Sequence, residues 1–287
     1  MSAVTRTAVR NIWLGLILSL AALAPTWAAP GGLPLDAADN DPSAEWLKIR
    51  KVLFQDRPIF DLGGVIALEM PRRQAFGATV PIAIRPTMAQ SPELYVKRLY
   101  LVVDKNPSPV GATWEFSPEV GMAELETRIR VQEYGHVRVV AELSDGQLHM
   151  ASRYAKISGG CTQPPNKDLV QQAADLGKIR VRLADEIVAN RLSPVQLQIS
   201  HPNNTGFELN QITVMYIPSH YVSKVKVTYD GTTLLSADMD FSISEDPYLR
   251  FNFIPRKSGE IRVEVEDSHE LRFENTFPVH VKPAPSS

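Results

Sequence analysis

The chain has one cysteine, Cys161, in 287 residues, so no disulfide can close within it and no cysteine-rich metal site can be built. It has almost no net charge: 30 Lys and Arg stand against 32 Asp and Glu. That balance excludes the basic surface on which nucleic-acid binding depends. No glycine-rich loop follows a strand pattern and opens a helix, so nucleotide phosphates have no anchor. The six histidines show no metal-ligand spacing, and long helical periodicities are scarce. What is abundant instead is proline, 22 residues against 16 glycines, among short runs of valine, isoleucine and tyrosine. That mixture predicts strands joined by tight turns.

The N-terminus reads as a secretory signal peptide over residues 1–28. Arg6 and Arg10 form a basic region, residues 12–23 an apolar core, and Thr26-Trp27-Ala28 a small-residue cleavage pattern. The apolar run falls short of the ~20 residues that a spanning helix needs. With no cysteine near that site to take a lipid, the mature chain is expected to leave the membrane. Losing 1–28 removes two arginines and no acid, which moves the formal charge from -2 to about -4. In an oxidising compartment, a lone thiol either bridges two chains, giving a disulfide-linked dimer, or stays reactive.

Residues 42–54 suggest one amphipathic helix, with Asp41 as N-cap, Pro42 at the first helical position, and Trp46, Leu47, Ile49, Leu53 and Phe54 as its apolar face. Strand patterns follow at 78–86, 96–104, 127–135, 136–143 and 148–157. At 128–132 Ile129 and Val131 alternate with Arg128, Arg130 and Gln132, which assigns the two sets to opposite sheet faces. The pattern stops at Ile157 and resumes at Lys178, continuing at 194–202, 211–218, 221–239, 248–255, 259–267 and 271–281. Asp230-Gly231 supplies a two-residue hairpin turn. The prediction is an all-β chain: two immunoglobulin-like β-sandwich domains, 40–157 and 178–283, with a short N-terminal helix. Residues 158–177 form the interdomain linker, in which 167–176 has the composition of a short helix.

Cys161 lies in that linker, in "SGGCTQPP". Gly159 and Gly160, with Ser158, predict a flexible arm, and Pro164 and Pro165 an extended, stiff exit. Lys156 and Lys167 favour the nucleophilic thiolate, weakly at that distance. The competing reading is a lone linker cysteine with no task. No histidine is selected as a base for it: His201 and His220 fall in loops, and His136, His149, His269 and His280 are scattered on strand patterns. Glu124, Glu126, Glu264 and Glu266 alternate with apolar residues as solvated strand faces do, and the dispersed methionines read as core filling. No catalytic residue, metal ligand or cofactor is therefore assigned, and the chain is read as a non-enzyme.

Three segments of the second half, "SHPNNTGF", "YIPSHYVSKVKVTYDGTTLLSADMDFSISEDPYLRFNF" and "SGEIRVEVEDSHELRFENTFPV", resemble SoxZ over about residues 178–281. The first half, from "ALEMPRRQAFGATVPIAI" to "ISGGC", resembles SoxY. In that family a mobile arm ending in Gly-Gly-Cys-Gly-Gly carries sulfur intermediates covalently. The matching residues here are Gly159, Gly160 and Cys161, while Thr162 and Gln163 stand where the trailing glycines would be. The pattern is most similar to fused SoxYZ-like carriers associated with quinoprotein dehydrogenases. The resemblance implies a periplasmic carrier with Cys161 as the attachment point. Its partners would be periplasmic enzymes, of the sulfur-oxidation type, such as thiosulfate oxidation uses, or a quinoprotein dehydrogenase. The alternative is an immunoglobulin-like docking or assembly protein for such a dehydrogenase, with nothing bound to the thiol.

Overall fold

Alternation of buried and exposed side chains carries most of this architecture. In a computed structural model the chain is described at residues 42–60, 64–164 and 169–284. The signal-peptide segment 1–28 and residues 165–168 of the linker lie outside the described residues. The first half supplies α1 (Ala44–Phe54), β1 (Ile59–Phe60), β2 (Ile66–Glu69), β3 (Val80–Pro86), β4 (Val96–Val103), β5 (Val110–Phe116), β6 (Leu125–Ile129), β7 (Gly135–Leu143) and β8 (Leu148–Ala155). The second half supplies α2 (Leu169–Asp175), β9 (Ile179–Leu183), β10 (Ser193–Ile199), β11 (Val222–Tyr229), β12 (Thr232–Met239), β13 (Tyr248–Phe253), β14 (Gly259–Asp267) and β15 (Arg272–Val279). The chain is all-β, with α2 falling where a short helix was expected in the linker.

The two halves do not keep separate sheets. One nine-stranded sheet runs β1-β8-β7-β4-β5-β12-β11-β14-β15, and a six-stranded sheet runs β2-β3-β6-β13-β10-β9. The seam is antiparallel in both: β5 pairs with β12 (Trp114 opposite Ala237) and β6 with β13 (Glu126 opposite Arg250). Two sandwiches expected to be joined by a linker are thus fused edge to edge. The physical reason is that a strand at a sheet edge leaves a row of backbone donors and acceptors unpaired, and pairing the two seam edges satisfies both. One continuous core follows, with Trp114, Leu125 and Ile82 of the first half packed together with Leu235, Phe251 and Phe253 of the second.

Three local readings are corrected. The cap of α1 is Ser43, not Asp41: its hydroxyl accepts from the Trp46 N–H at 3.1 Å and donates to Asp104 at 2.5 Å, a tertiary partner that no local pattern reveals. Only Trp46 and Phe54 of the helix's apolar residues are fully buried, and Leu47 faces solvent. Residues 211–218 do not form the expected strand. The Asn210 side chain accepts from the Ile212 and Thr213 N–H groups, closing a turn on which Ile212, Val214, Met215 and Tyr216 are exposed. Finally, β5 went unread because Pro109 and Gly111 mask its pattern, yet it carries the fully buried Trp114 to the seam. The Asp230-Gly231 turn is as expected, both residues having positive φ, 48° and 82°.

Candidate functional site

β8 leads out of the nine-stranded sheet into residues 156–161, which run back along the end of β6. There the Gly159 N–H donates to Gln132 O (2.8 Å), the Gly160 N–H to Val131 O (2.9 Å), and the Cys161 N–H to the Gln132 side-chain oxygen (2.9 Å). The second half closes over the turn. The Thr205 hydroxyl donates to Cys161 O at 2.6 Å, and the Arg130 guanidinium to both Gly160 O (3.0 Å) and Asn203 O (3.1 Å). In this state Ser158, Gly159 and Gly160 are a docked turn rather than an extended arm. Cys161 is fully buried instead of exposed.

The two glycines have different tasks here. A β-carbon on Gly160 would collide with the Gly77 carbonyl oxygen and come within 2.6 Å of the Val131 nitrogen. Gly77 itself has room for no β-carbon, which would strike Ser158 O. Two backbones approach closely at that point, which only glycine permits. Gly159 has open space around it but a φ of 77°, the left-handed region that L side chains disfavour.

Burial pushes the Cys161 thiol up to about 12; the Arg130 charge opposes this, and the carboxylates of Glu208 and Asp240 reinforce it. Of the two lysines expected to favour a thiolate, only Lys156 falls among the described residues, and it is not among the groups acting on the thiol. Lys156 is exposed, and Lys167 lies outside the described residues. Arg130 was expected on the sheet face opposite Ile129 and Val131, with Arg128 and Gln132; the second half covers it there to 2% exposure. Its pKa is pulled down by burial against the attraction of Glu208, Cys161 and Glu245. Glu208 is fully buried and accepts the Thr205 and Gly206 N–H groups, which ties its loop together where it meets Arg130, 3.9 Å away.

Behind this turn lies a cluster that sequence spacing hid. The Asp267 carboxylate is 2.8 Å from His220 Nε2 and 3.5 Å from His201 Nε2, and the His269 ring stacks on His220 at 4.0 Å. His201 Nδ1 accepts the Asn203 N–H at 3.1 Å, which places the proton of the neutral ring on Nε2, facing Asp267. That tautomer withholds the Nε2 lone pair a metal ion would need, and of the two imidazoles only His220 is within hydrogen-bond distance of Asp267. Burial, with the neighbouring His220, pushes His201 down to about 4. Asn203 joins the two clusters: its N–H reaches His201 and its carbonyl oxygen accepts from Arg130.

Sequence reasoning found Cys161, Gly159 and Gly160 but none of Arg130, Gln132, Asn203, Thr205, Glu208 and Asp240. Arg130 gave no signal, because an arginine alternating with isoleucine and valine looks solvated until another part of the chain covers it.

A family model described as "Sulfur oxidation protein SoxY" matches residues 50–161, ending on the buried cysteine, and one described as "Sulphur oxidation protein SoxZ" matches residues 179–278. Among solved structures, the sulfur carrier protein SoxY from Chlorobium limicola f thiosulfatophilum is 22% identical, with a TM-score of 0.33, over 40% of this chain and 97% of that one. A superoxide reductase (neelaredoxin) from Ignicoccus hospitalis is 14% identical, with a TM-score of 0.29, over 44% of this chain and 100% of that one. Red sea bream transglutaminase is 10% identical, with a TM-score of 0.25, over 82% of this chain and 33% of that one. No curated protein matches the chain.

Proposed function

This chain belongs to the SoxY and SoxZ sulfur-oxidation families, one in each half, and from that premise we propose that it is a periplasmic carrier holding a sulfur compound covalently on Cys161. The observation that supports this reading is the position of the thiol. Cys161 is the last residue of the SoxY match, the SoxZ-type half grips it through Thr205, and Arg130 of the SoxY-type half ties the preceding Gly160 to Asn203 of the SoxZ-type half. Loading forms a bond from Cys161 Sγ to a sulfur of the cargo while the thiol proton passes to water. When both partners start reduced, that bond is a two-electron oxidation, so the partner enzyme must supply the electron acceptor. The carrier contributes reach, protection and a recognisable platform, and the partner contributes the chemistry.

Burial of the thiol requires that loading follow release of the turn, since the docked sulfur is neither reachable nor ionised. The same burial favours a second reading, a docking or assembly protein for a periplasmic quinoprotein dehydrogenase that carries nothing. Intact-mass spectrometry of the chain from a periplasmic fraction separates the two. The carrier reading expects an adduct on Cys161 that reductant removes, and a mass that starts after the signal segment. A Cys161→Ser strain with unchanged pathway flux would leave the docking reading standing.

A further inference from the structure

Outside the dock, the root of the cysteine turn carries two cations with no anion to answer them. Arg73 and Lys156 are partners across a parallel backbone bridge, beside which the Lys156 N–H donates to Arg72 O at 2.7 Å. Such partners stand about 5 Å apart with their side chains on one side, and like charges placed opposite each other repel. Both residues are exposed, and neither has a carboxylate partner among the described residues. They line one open cavity of about 470 Å³ together with Gln74, Ala75 and Tyr134. Its wall is held in place: the Gln74 amide donates to Phe76 O at 2.9 Å and to Thr79 O at 3.0 Å, and Gly77 of the same loop packs on the Ser158 and Gly160 backbone. We propose that Arg73, Lys156 and Tyr134 form a binding site for a sulfur oxyanion at the root of the arm.

An anion seated between two like cations removes their repulsion and replaces it with charge-assisted contacts. The Arg73 guanidinium is a planar fork that matches two oxygens of a sulfonate or thiosulfate group, the Lys156 ammonium adds a point charge, and the Tyr134 hydroxyl is a further donor. An acid at the rim would spoil such a site. Glu133, next to Tyr134, is not among the lining residues, and its charge acts on Lys105. The choice of a sulfur oxyanion rests on the carrier reading, whereas the paired cations stand without it. Cys161 follows Lys156 by five residues, which span up to about 17 Å when extended. Gly159 and Gly160 let that chain turn back, so a sulfonate on the released thiol comes within reach of the cavity. Arm-borne and free oxyanions then compete for one place.

The test uses the full chain at low ionic strength, where exposed charges are screened least, and follows thiosulfate binding by titration calorimetry with chloride as the control. Wild type should bind thiosulfate saturably and at least about tenfold tighter than chloride. Arg73→Gln/Lys156→Gln should weaken thiosulfate by roughly tenfold or more. Its urea midpoint should stay at or above that of wild type, because removing an exposed like-charge pair relieves repulsion. The S-sulfonate of Cys161, made with sulfite and tetrathionate, separates the two sources of the anion. If the arm-borne group is the ligand, the modified chain should bind free thiosulfate about tenfold more weakly than the thiol form, since a short tether holds its anion at roughly millimolar effective concentration. If the free oxyanion is the ligand, both forms should bind it alike, and either result supports the site. Thiosulfate binding no tighter than chloride, or unchanged by the double substitution, overturns the proposal. A chain that carries nothing in the cell fails the mass measurement above and leaves this binding as it is.

Discussion

The Arg130 guanidinium donates to the carbonyl oxygen of Gly160 at 3.0 Å, tying a strand end of the first half to the residue that precedes the thiol. The same side chain reaches Asn203 O in the second half, so one buried cation pins three segments together. Replacing it leaves Glu208 buried beside no cation. Arg130→Met should lower stability by about 3–5 kcal/mol, the range for removing one member of a buried charge pair. Urea unfolding measures this, and Cys161 labelling by a disulfide reagent should accelerate in the native baseline. A variant as stable as wild type would show that the pair does not hold the seam.

Gly160→Ala should release the turn without unfolding the sandwich, because the collision falls on the Gly77 backbone and not on the core. Cys161 labelling at pH 8 should rise by at least about tenfold. Gly159→Ala meets no neighbour and bears only the left-handed backbone penalty, about 1 kcal/mol, so its labelling should rise less. Equal effects of the two substitutions would contradict the close-approach account.

Docking should weaken in alkali. The thiol's docked value is raised from 9.0 to about 12, so its contribution is fully present below 9 and is lost as the pH climbs from 9 towards 12. At pH 10 the undocked fraction should grow by roughly tenfold. Hydrogen exchange of the 159–161 amides, corrected for intrinsic rates, reads this directly. Cys161→Ser should abolish the dependence, and a slope that survives the serine would assign it to another group.

Stability should fall in acid for a different reason. His201 is held neutral, with its value pushed from 6.5 to about 4 by burial first and His220 second. The unfolded chain therefore takes up the proton first, and stability present above pH 6.5 declines as the pH falls towards 4. Asp267 is kept below its ordinary value; burial pushes it up, but the His220 bond and the Leu271 and His269 N–H groups prevail. It stays ionised through this window and adds little to the slope. Unfolding free energies from urea titration at pH 7 and 4.5 should differ by about 2 kcal/mol from His201. His201→Gln should flatten that part of the profile, and an unchanged profile would remove His201 as its source.

The sequence by itself determined the strand inventory where one sheet face meets the core, because alternation is a local consequence of the pleat. Val225, Val227 and Tyr229 are buried while Lys224 and Lys226 face out, as their order requires. It also determined the family resemblance and marked Cys161 as the exceptional residue. Only the tertiary structure decided that β5 joins β12 and β6 joins β13, since edge pairing depends on which strand ends up beside which. It alone decided that Arg130 is buried, that His201 and His220 come together at Asp267, and that the thiol is docked. Each of these depends on a segment many residues away, such as the 203–208 loop closing over the end of β6. A one-dimensional pattern records the polarity of a side chain but not what comes to cover it, and that covering turned a glycine-flanked cysteine from an exposed arm into a buried, uncharged thiol.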